Sequence, residues 1–248
     1  MPKLSVITII YNNVRDIERT IKSVVNQSFK GIEYIIIDGG STDGTMEVVS
    51  IYKAALSKIV SEPDGGIYFA MNKGLELATG DYVLFMNSGD EIYEPQTVER
   101  VFASAPDADI YYGETEMYND DWQSLGRRRH KVPEKFTWRS FKYGMSISHQ
   151  AIYLRKAIIE PFDVSYKYSA DIDWILKAAK KAKTIAKVDG YVAKYLVGGV
   201  SKKKHRESLM ERYQIFKKYY GFFPNLLNHL VIAFNLAWYR LRNKNTND

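Results

Sequence analysis

Apolar residues in the first part of the chain fall into four short runs, each closed by polar, small or acidic residues. Leu4 to Ile10 runs into Tyr11-Asn12-Asn13, and Tyr34 to Ile37 into Asp38-Gly39-Gly40-Ser41-Thr42-Asp43-Gly44. Ser57 to Ser61 runs into Glu62-Pro63-Asp64-Gly65-Gly66, and Tyr82 to Met86 into Asn87-Ser88-Gly89-Asp90. Continuous apolar runs of this length predict parallel strands buried on both faces. Helical spacing fills the gaps. Ile17, Ile21, Val24 and Val25 mark a first helix that Asn12 or Asn13 can cap. A second, capped by Ser41, Thr42 or Asp43, runs to about Ala55, and a third from Ile67 to Ala78 ends at Gly80. Pro95 suits the first turn of a fourth. Alternating strands and helices predict βαβ units and a parallel sheet. Ligands of such sheets bind beyond the carboxyl ends of the strands, where the polar clusters sit here. One shared site for a phosphorylated ligand is therefore expected.

After residue 105 the rhythm changes. Ile110-Tyr111-Tyr112 and Thr115–Tyr118 read as strands around Gly113, followed by a polar loop from Asn119 to Gly126. Ala151–Leu154 reads as a strand, and Asp171–Ala182 as a helix with Ile172, Ile175, Leu176 and Ala179 inward. From Phe223 an apolar stripe recurs at 226, 227, 230, 231, 234, 237, 238 and 241, predicting an amphipathic helix. Leu226–Leu241 would span about 24 Å at the helical rise, with Asn228, His229, Asn235 and Arg240 inside it. That is too short and too polar for a hydrocarbon core of about 30 Å. Its end, Trp238, Tyr239, Arg240, Arg242 and Lys244, suits a membrane interface; packing on this domain or on another subunit is the alternative.

Composition narrows the chemistry. The chain has 248 residues and no cysteine, so disulfides, thiolate metal sites and cysteine nucleophiles are excluded. Met1-Pro2-Lys3 leads straight into a strand, so no secretory signal is expected and the chain reads as cytoplasmic. A net charge of +6 is concentrated in Arg127-Arg128-Arg129-His130-Lys131, Lys202-Lys203-Lys204-His205-Arg206 and the C-terminus. Such clusters attract anionic lipid or phosphorylated substrates, and no nucleic-acid motif accompanies them.

Ser5-Val6-Ile7-Thr8 with Tyr11-Asn12, Ile37 to Thr45, Ala70-Met71-Asn72-Lys73-Gly74, Ala78-Thr79-Gly80-Asp81 and Phe85 to Asp90 together resemble the family 2 inverting glycosyltransferases of GT-A fold. The ordered match covers roughly residues 3–95 and continues more weakly to about residue 201. Ser61 to Tyr68 resembles the subset that builds bacterial colanic acid, capsule and O-antigen repeats. The resemblance implies an α/β GT-A fold, a Rossmann-like mixed sheet flanked by helices. Residues 1–220 would form the glycosyltransferase domain, with a nucleotide-sugar half over 1–104 and an acceptor and base half over 105–220. An amphipathic appendage would span 221–248.

The resemblance also implies roles. Thr8, Tyr11, Asn12, Asp38, Asp64, Asn72 and Ser88 would bind the nucleotide sugar, and Asp90 would hold a divalent cation, Mg²⁺ or Mn²⁺. Gly39 stands where a second aspartate is common, and Asn87 and Gly89 replace two aspartates of the metal motif. Asp171, in Ser169-Ala170-Asp171-Ile172-Asp173-Trp174, matches the base; Asp173 is the runner-up, but lies about 200° round a helix from it. His149, Gln150 and Trp174 would contact acceptor or diphosphate. Gly198 to Ser201 with Lys202–Arg206 resembles a loop that closes over the donor. The implied reaction moves a sugar from a nucleotide sugar, with UDP favoured, to a growing glycan on a polyprenyl diphosphate at the anionic inner face of the cell membrane. A non-catalytic nucleotide-sugar binder and a sugar nucleotidyltransferase are the rival readings, and homo-oligomerisation stays open.

Overall fold

The computed structural model describes residues 2–128, 130–198 and 204–242, with 235–242 described by backbone alone. The strands are β1 (Leu4–Ile10), β2 (Ile32–Asp38), β3 (Lys58–Ser61), β4 (Tyr82–Phe85), β5 (Glu91–Ile92), β6 (Ile110–Tyr118), β7 (Ser124–Arg127), β8 (Ile152–Arg155) and β9 (Ile185–Leu196). The helices are α1 (Ile17–Val25), α2 (Thr45–Ile51), α3 (Ile67–Leu77), α4 (Thr97–Ala103), α5 (Ala170–Lys181), α6 (His205–Tyr220) and α7 (Phe222–Arg242). The strands form one sheet in the order β3-β2-β1-β4-β8-β6-β9-β5, with β7 paired to β6. β1 to β4 pair in parallel. β8 enters antiparallel to both β4 and β6.

Strand alternation gives the sheet two cores. Ile7, Ile9, Ile35, Ile37 and Phe85 pack against α3, α5 and α6, including Met71, Trp174 and Phe216. Leu4, Val6, Ile10, Ile36 and Leu84 pack the other way, against Ile17, Ile21 and Val24 of α1, Val49 of α2 and Val98 of α4. Buried Glu33 joins β2 to its neighbours, accepting from Ser5 Oγ (2.6 Å), Thr79 N–H (2.6 Å) and Thr79 Oγ1 (2.7 Å). Beside it Gly80 lies so close to β1 that a Cβ there would be 2.7 Å from Ser5 N and 2.8 Å from Lys3 O.

Most expected elements are present, with differences that have physical causes. α2 stops at Ile51 and passes into a short 3₁₀ turn, Lys53–Ala55. Neither Asn12 nor Asn13 caps α1. Asn12 Oδ1 accepts from Thr42 N–H and Asn13 Nδ2 donates to Ser88 Oγ, so both side chains are committed to other loops. The two strands expected around Gly113 are one, β6, with a register shift at the glycine. β9 and α6 were not anticipated. α6 belongs to the body of the domain. Its Ser208 meets Ser169, and its Glu211 accepts the N–H groups of Lys167 and Tyr168 at 2.7 and 2.8 Å. α7 follows as expected, exposing Phe222, Phe223, Leu226, Leu227, Leu230 and Phe234. No helix among the described residues is long and apolar enough to cross a membrane.

Candidate active site

The carboxyl ends of β1, β2 and β3 meet at an open shelf. Tyr11 is 67% exposed at the end of β1 and presents its ring to solvent. A Cβ at Gly39 would lie 3.4 Å from that ring and 2.9 Å from Asp64 Oδ2. Asp64 therefore occupies the space that a side chain at position 39 would need, which accounts for glycine there. Asp64 is itself pinned by the Gly66 N–H at 2.7 Å. Asn12, at φ 47°, closes the shelf by donating its N–H to Ser41 Oγ.

The turn after β4 is fixed from α1. Thr20 Oγ1 accepts from Gly89 N–H and donates to Asp90 C=O. Gly89 has φ +102°, a conformation that strains an aspartate, so the backbone explains this departure from the acidic motif. Asp90 is almost fully buried. Its Oδ1 accepts from Leu196 N–H (3.1 Å) at the end of β9, and its Oδ2 from Gln150 Nε2 (3.2 Å). Burial pushes its carboxyl up to about 7, against the charge of His149 and the Leu196 N–H, which pull the other way. Nearby Asn87 Oδ1 is buried without a hydrogen-bond partner among the described residues. A buried carboxylate short of countercharge and an orphaned amide oxygen are hard donors that suit a divalent cation. The described residues contain no cluster of three or more His, Cys, Asp or Glu, so phosphates and water would complete its shell.

Asp171 opens α5, its side chain 16% exposed. His149 Nδ1 lies 3.3 Å from its Oδ2, and His149 Nε2 lies 3.1 Å from Asn87 Nδ2. Tyr68 of α3 donates its hydroxyl to Asp171 Oδ1 at 3.4 Å. Burial pushes the Asp171 carboxyl up, but the His149 hydrogen bond and charge, the Arg212 charge and the Ile172 N–H outweigh it and hold the group below the usual range. An ionised carboxylate at a cleft wall can accept a proton. Asp173 points elsewhere. Its side chain, 1% exposed, meets Lys218 Nζ (2.9 Å), Lys177 Nζ (3.0 Å) and Tyr219 Oη (3.0 Å), tying α5 to α6.

Several residues expected to contact ligand do not face the cleft. Thr8 is fully buried, its hydroxyl donating to Met86 C=O (2.7 Å) and meeting Tyr34 Oη (3.0 Å). Asp38 is also fully buried, its oxygens occupied by Gly40 N–H, by Ser41 N–H and Oγ, and by Ser61 Oγ. It shapes the loop rather than offering an acceptor. Asn72 is clamped to Phe162 through both amide atoms, at 3.0 and 2.7 Å. Gln150 serves Asp90. Trp174 lies in the core, stacked 4.6 Å from Phe162, its Nε1–H donating to Glu160 C=O. Ser88 stays at the cleft edge, accepting from Asn13. The donor-closing loop lies mostly outside the described residues, as does Arg129. Tyr68, Tyr195, Arg128 and Arg212 join the site unannounced. Tyr68 stands in the Ser61 to Tyr68 motif and Arg128 in the basic run from Arg127 to Lys131, whereas Tyr195 and Arg212 stand in neither.

Comparison with known proteins follows this geometry. A family model described as Glycosyl transferase family 2 matches residues 5–162. An uncharacterized glycosyltransferase of Mycobacterium tuberculosis, Rv1514c, is 34% identical over 188 residues, covering 72% of this chain and 69% of the relative. A PGL/p-HBAD biosynthesis glycosyltransferase of the same species, Rv2957, is 30% identical over 185 residues, covering 71% of this chain and 69% of the relative. Among solved structures, Staphylococcus aureus TarS 1–349 in complex with UDP superposes with a TM-score of 0.69 at 22% identity, covering 99% of this chain and 75% of TarS. The mannosyltransferase PcManGT of Pyrobaculum calidifontis, in complex with GDP-Man and Mn²⁺, gives 0.65 at 18% identity, covering 88% of this chain and 64% of that one. At these identities the two structures speak for the fold.

Proposed function

Because the chain belongs to glycosyl transferase family 2 and has its GT-A fold, we propose that it transfers one sugar from a nucleotide sugar to a hydroxyl of a growing glycan, with inversion at the anomeric carbon. The observation that carries this reading is the pair of unlike carboxylates facing one cleft. Asp171 is held ionised, while Asp90 is buried and short of countercharge. Inversion needs a base on the attacking face and charge neutralisation on the departing face. Asp171 takes the proton of the acceptor hydroxyl. His149 and Tyr68 fix the carboxylate, one on each oxygen. Asn87 stations the far side of the imidazole. Asp90, with Asn87 Oδ1, holds a divalent cation, which when bound offsets charge on the leaving diphosphate. Tyr11 stacks on the base of the nucleotide, a contact every base can make. Asp64 and the Asn12 loop border the ribose.

The acceptor in this reading is a glycan on a polyprenyl diphosphate. The exposed apolar face of α7 and the exposed Arg127 suit a peripheral position on an anionic membrane face. Removing residues 222–248 abolishes partitioning onto anionic vesicles if this is correct.

The direct test is thermal stabilisation of the full chain by UDP, GDP, CMP and dTDP, each with and without Mn²⁺, followed by turnover with the nucleotide sugar of the best binder. Selective, metal-dependent stabilisation with turnover supports transfer. Binding without turnover in the presence of lipid-linked acceptors points to a binding protein instead.

A further inference from the structure

Two arginines from distant parts of the chain converge on the wall that carries Asp171. Arg128, just after β7, donates through Nη1 to Ser148 Oγ. Ser148 precedes His149, whose ring touches Asp171. Arg212, on α6, follows Glu211, which holds the Lys167 and Tyr168 N–H groups, and lies one turn beyond Ser208, which meets Ser169. Arg128 thus reaches the residue before His149, and Arg212 shares the helix face that carries Ser208 to the N-terminus of α5.

Neither guanidinium forms an ion pair among the described residues, unlike Arg19, Arg100 and Arg155. Arg212 Nε is buried with no hydrogen-bond partner among the described residues. Burial pushes the Arg128 pKa down and the charge of Arg212 adds to the effect, while Tyr195 and Asp171 oppose it. Two half-buried cations held together cost free energy unless an anion lies between them. Asp171 cannot serve both, because its carboxylate is already engaged by His149, Tyr68 and the Ile172 N–H. A planar fork with an unspent donor matches the oxygens of a phosphate group.

We propose that Arg128 and Arg212 form an anion site beside Asp171 that receives a phosphate group of the acceptor itself. The inference rests on the transfer reading above. In an inverting transfer the base and the leaving diphosphate lie on opposite faces of the reacting carbon, so an anion held on the base's own wall belongs to the acceptor. An anion there and a hydroxyl within reach of Asp171 must belong to neighbouring parts of one molecule. The enzyme therefore acts on the phosphate-bearing sugar or the one next to it. The reaction that supplies its substrate is a transfer that leaves a sugar phosphate on a lipid carrier.

Calorimetric titration of inorganic phosphate into the full chain tests this, first alone and then with UDP and Mg²⁺ at saturation. The expected result is phosphate binding in both states. Arg212→Gln or Arg128→Gln should weaken it at least about tenfold, as expected for loss of a charge-assisted hydrogen bond. UDP affinity should be unchanged in both variants, and Arg212→Lys should restore part of the phosphate affinity. Thermal unfolding of each variant checks that α6 stays docked. Two results would overturn the proposal: phosphate binding indifferent to both arginines, or UDP affinity falling in step with phosphate affinity, which would assign the arginines to the donor. Failure of UDP, GDP, CMP and dTDP alike to bind would sink the transfer reading, while the phosphate titration without nucleotide would still report on the arginines.

Discussion

The two aspartates of α5 make opposite predictions. Asp173→Ala removes a carboxylate with 1% exposed side chain that holds Lys177, Lys218 and Tyr219. Breaking a buried ion pair costs about 3–5 kcal/mol when the remaining partner stays buried. Here the two lysine side chains are 24% and 46% exposed and can turn to water. Tyr219 Oη also keeps a second acceptor, the Asp173 C=O at 3.2 Å. The low end, about 3 kcal/mol, is therefore expected. For a chain of this size that lowers Tm by about 6–12 °C. The folded fraction, assayed well below the new Tm, should keep transfer activity within about threefold, because the cleft groups are untouched. Asp171→Asn should do the reverse. Transfer falls by about 10²–10⁴ on losing the base, and Tm moves by less than about 4 °C, since the group sits at the cleft wall. Scanning calorimetry and a single-turnover assay on both variants decide the matter. Asp173→Ala inactivating without loss of stability, or Asp171→Asn turning over normally, would refute the assignment of the base.

Further expectations concern the remaining carboxylates and the tight glycines. Glu33 is pushed up by burial, but its bonds from Ser5 and Thr79 and the Lys3 charge outweigh this and hold it at about 2. It therefore contributes about 3 kcal/mol above pH 4.5, lost as pH falls toward 2; Glu33→Gln should lose that stability at pH 7 and flatten the acid limb of a denaturant-melt series. Asp90 is raised to about 7, so in metal-free protein its ionisation costs stability as pH climbs from about 4 to 7. Asp90→Asn should therefore raise Tm at pH 8 without metal while abolishing Mn²⁺-dependent stabilisation by nucleotide. Gly39→Asp places a Cβ 2.9 Å from Asp64 Oδ2 and two like charges together; nucleotide affinity, read by calorimetric titration, should fall about tenfold or more. Gly80→Ala meets backbone at 2.7–2.8 Å and should cost about 1–3 kcal/mol by chemical denaturation.

The parallel half of the fold was legible because its strands are continuous apolar runs ending in turn residues. β9 was not. Its sequence, IAKVDGYVAKYL, shows no sustained alternation and is broken at Asp189-Gly190, and its strand character comes from pairing with β6 across a long sequence separation. α6 hid behind the basic cluster that precedes it, since only Ser208, Ile215 and Phe216 of its residues are fully buried. At the site, Tyr11 and Asp64 flank Gly39, while His149 meets Asp171 and its neighbour Gln150 meets Asp90. Thr8, Asp38, Asn72, Gln150 and Trp174 carry suitable side chains, yet spend them on Met86, Ser41, Phe162, Asp90 and Glu160. A polar residue that closes a loop and one that meets a ligand look alike in sequence, because both need a donor or acceptor at a strand end. Arg128 shows in sequence only as part of a basic run and Arg212 carries no local signature, since its place depends on how α6 docks.

The antiparallel entry of β8 between β4 and β6 has a consequence for how such an enzyme diversifies. Parallel strands can offer the cleft only the loops that follow them. A reversed strand offers the loop that precedes it, and so His149 and Gln150 arrive at the same rim as Asp90 from the opposite chain direction. The rim is thus written by two stretches of gene, one read toward the cleft and one read away from it. Insertions before β8 can remodel what is glycosylated without shifting the register of the strands that hold the nucleotide.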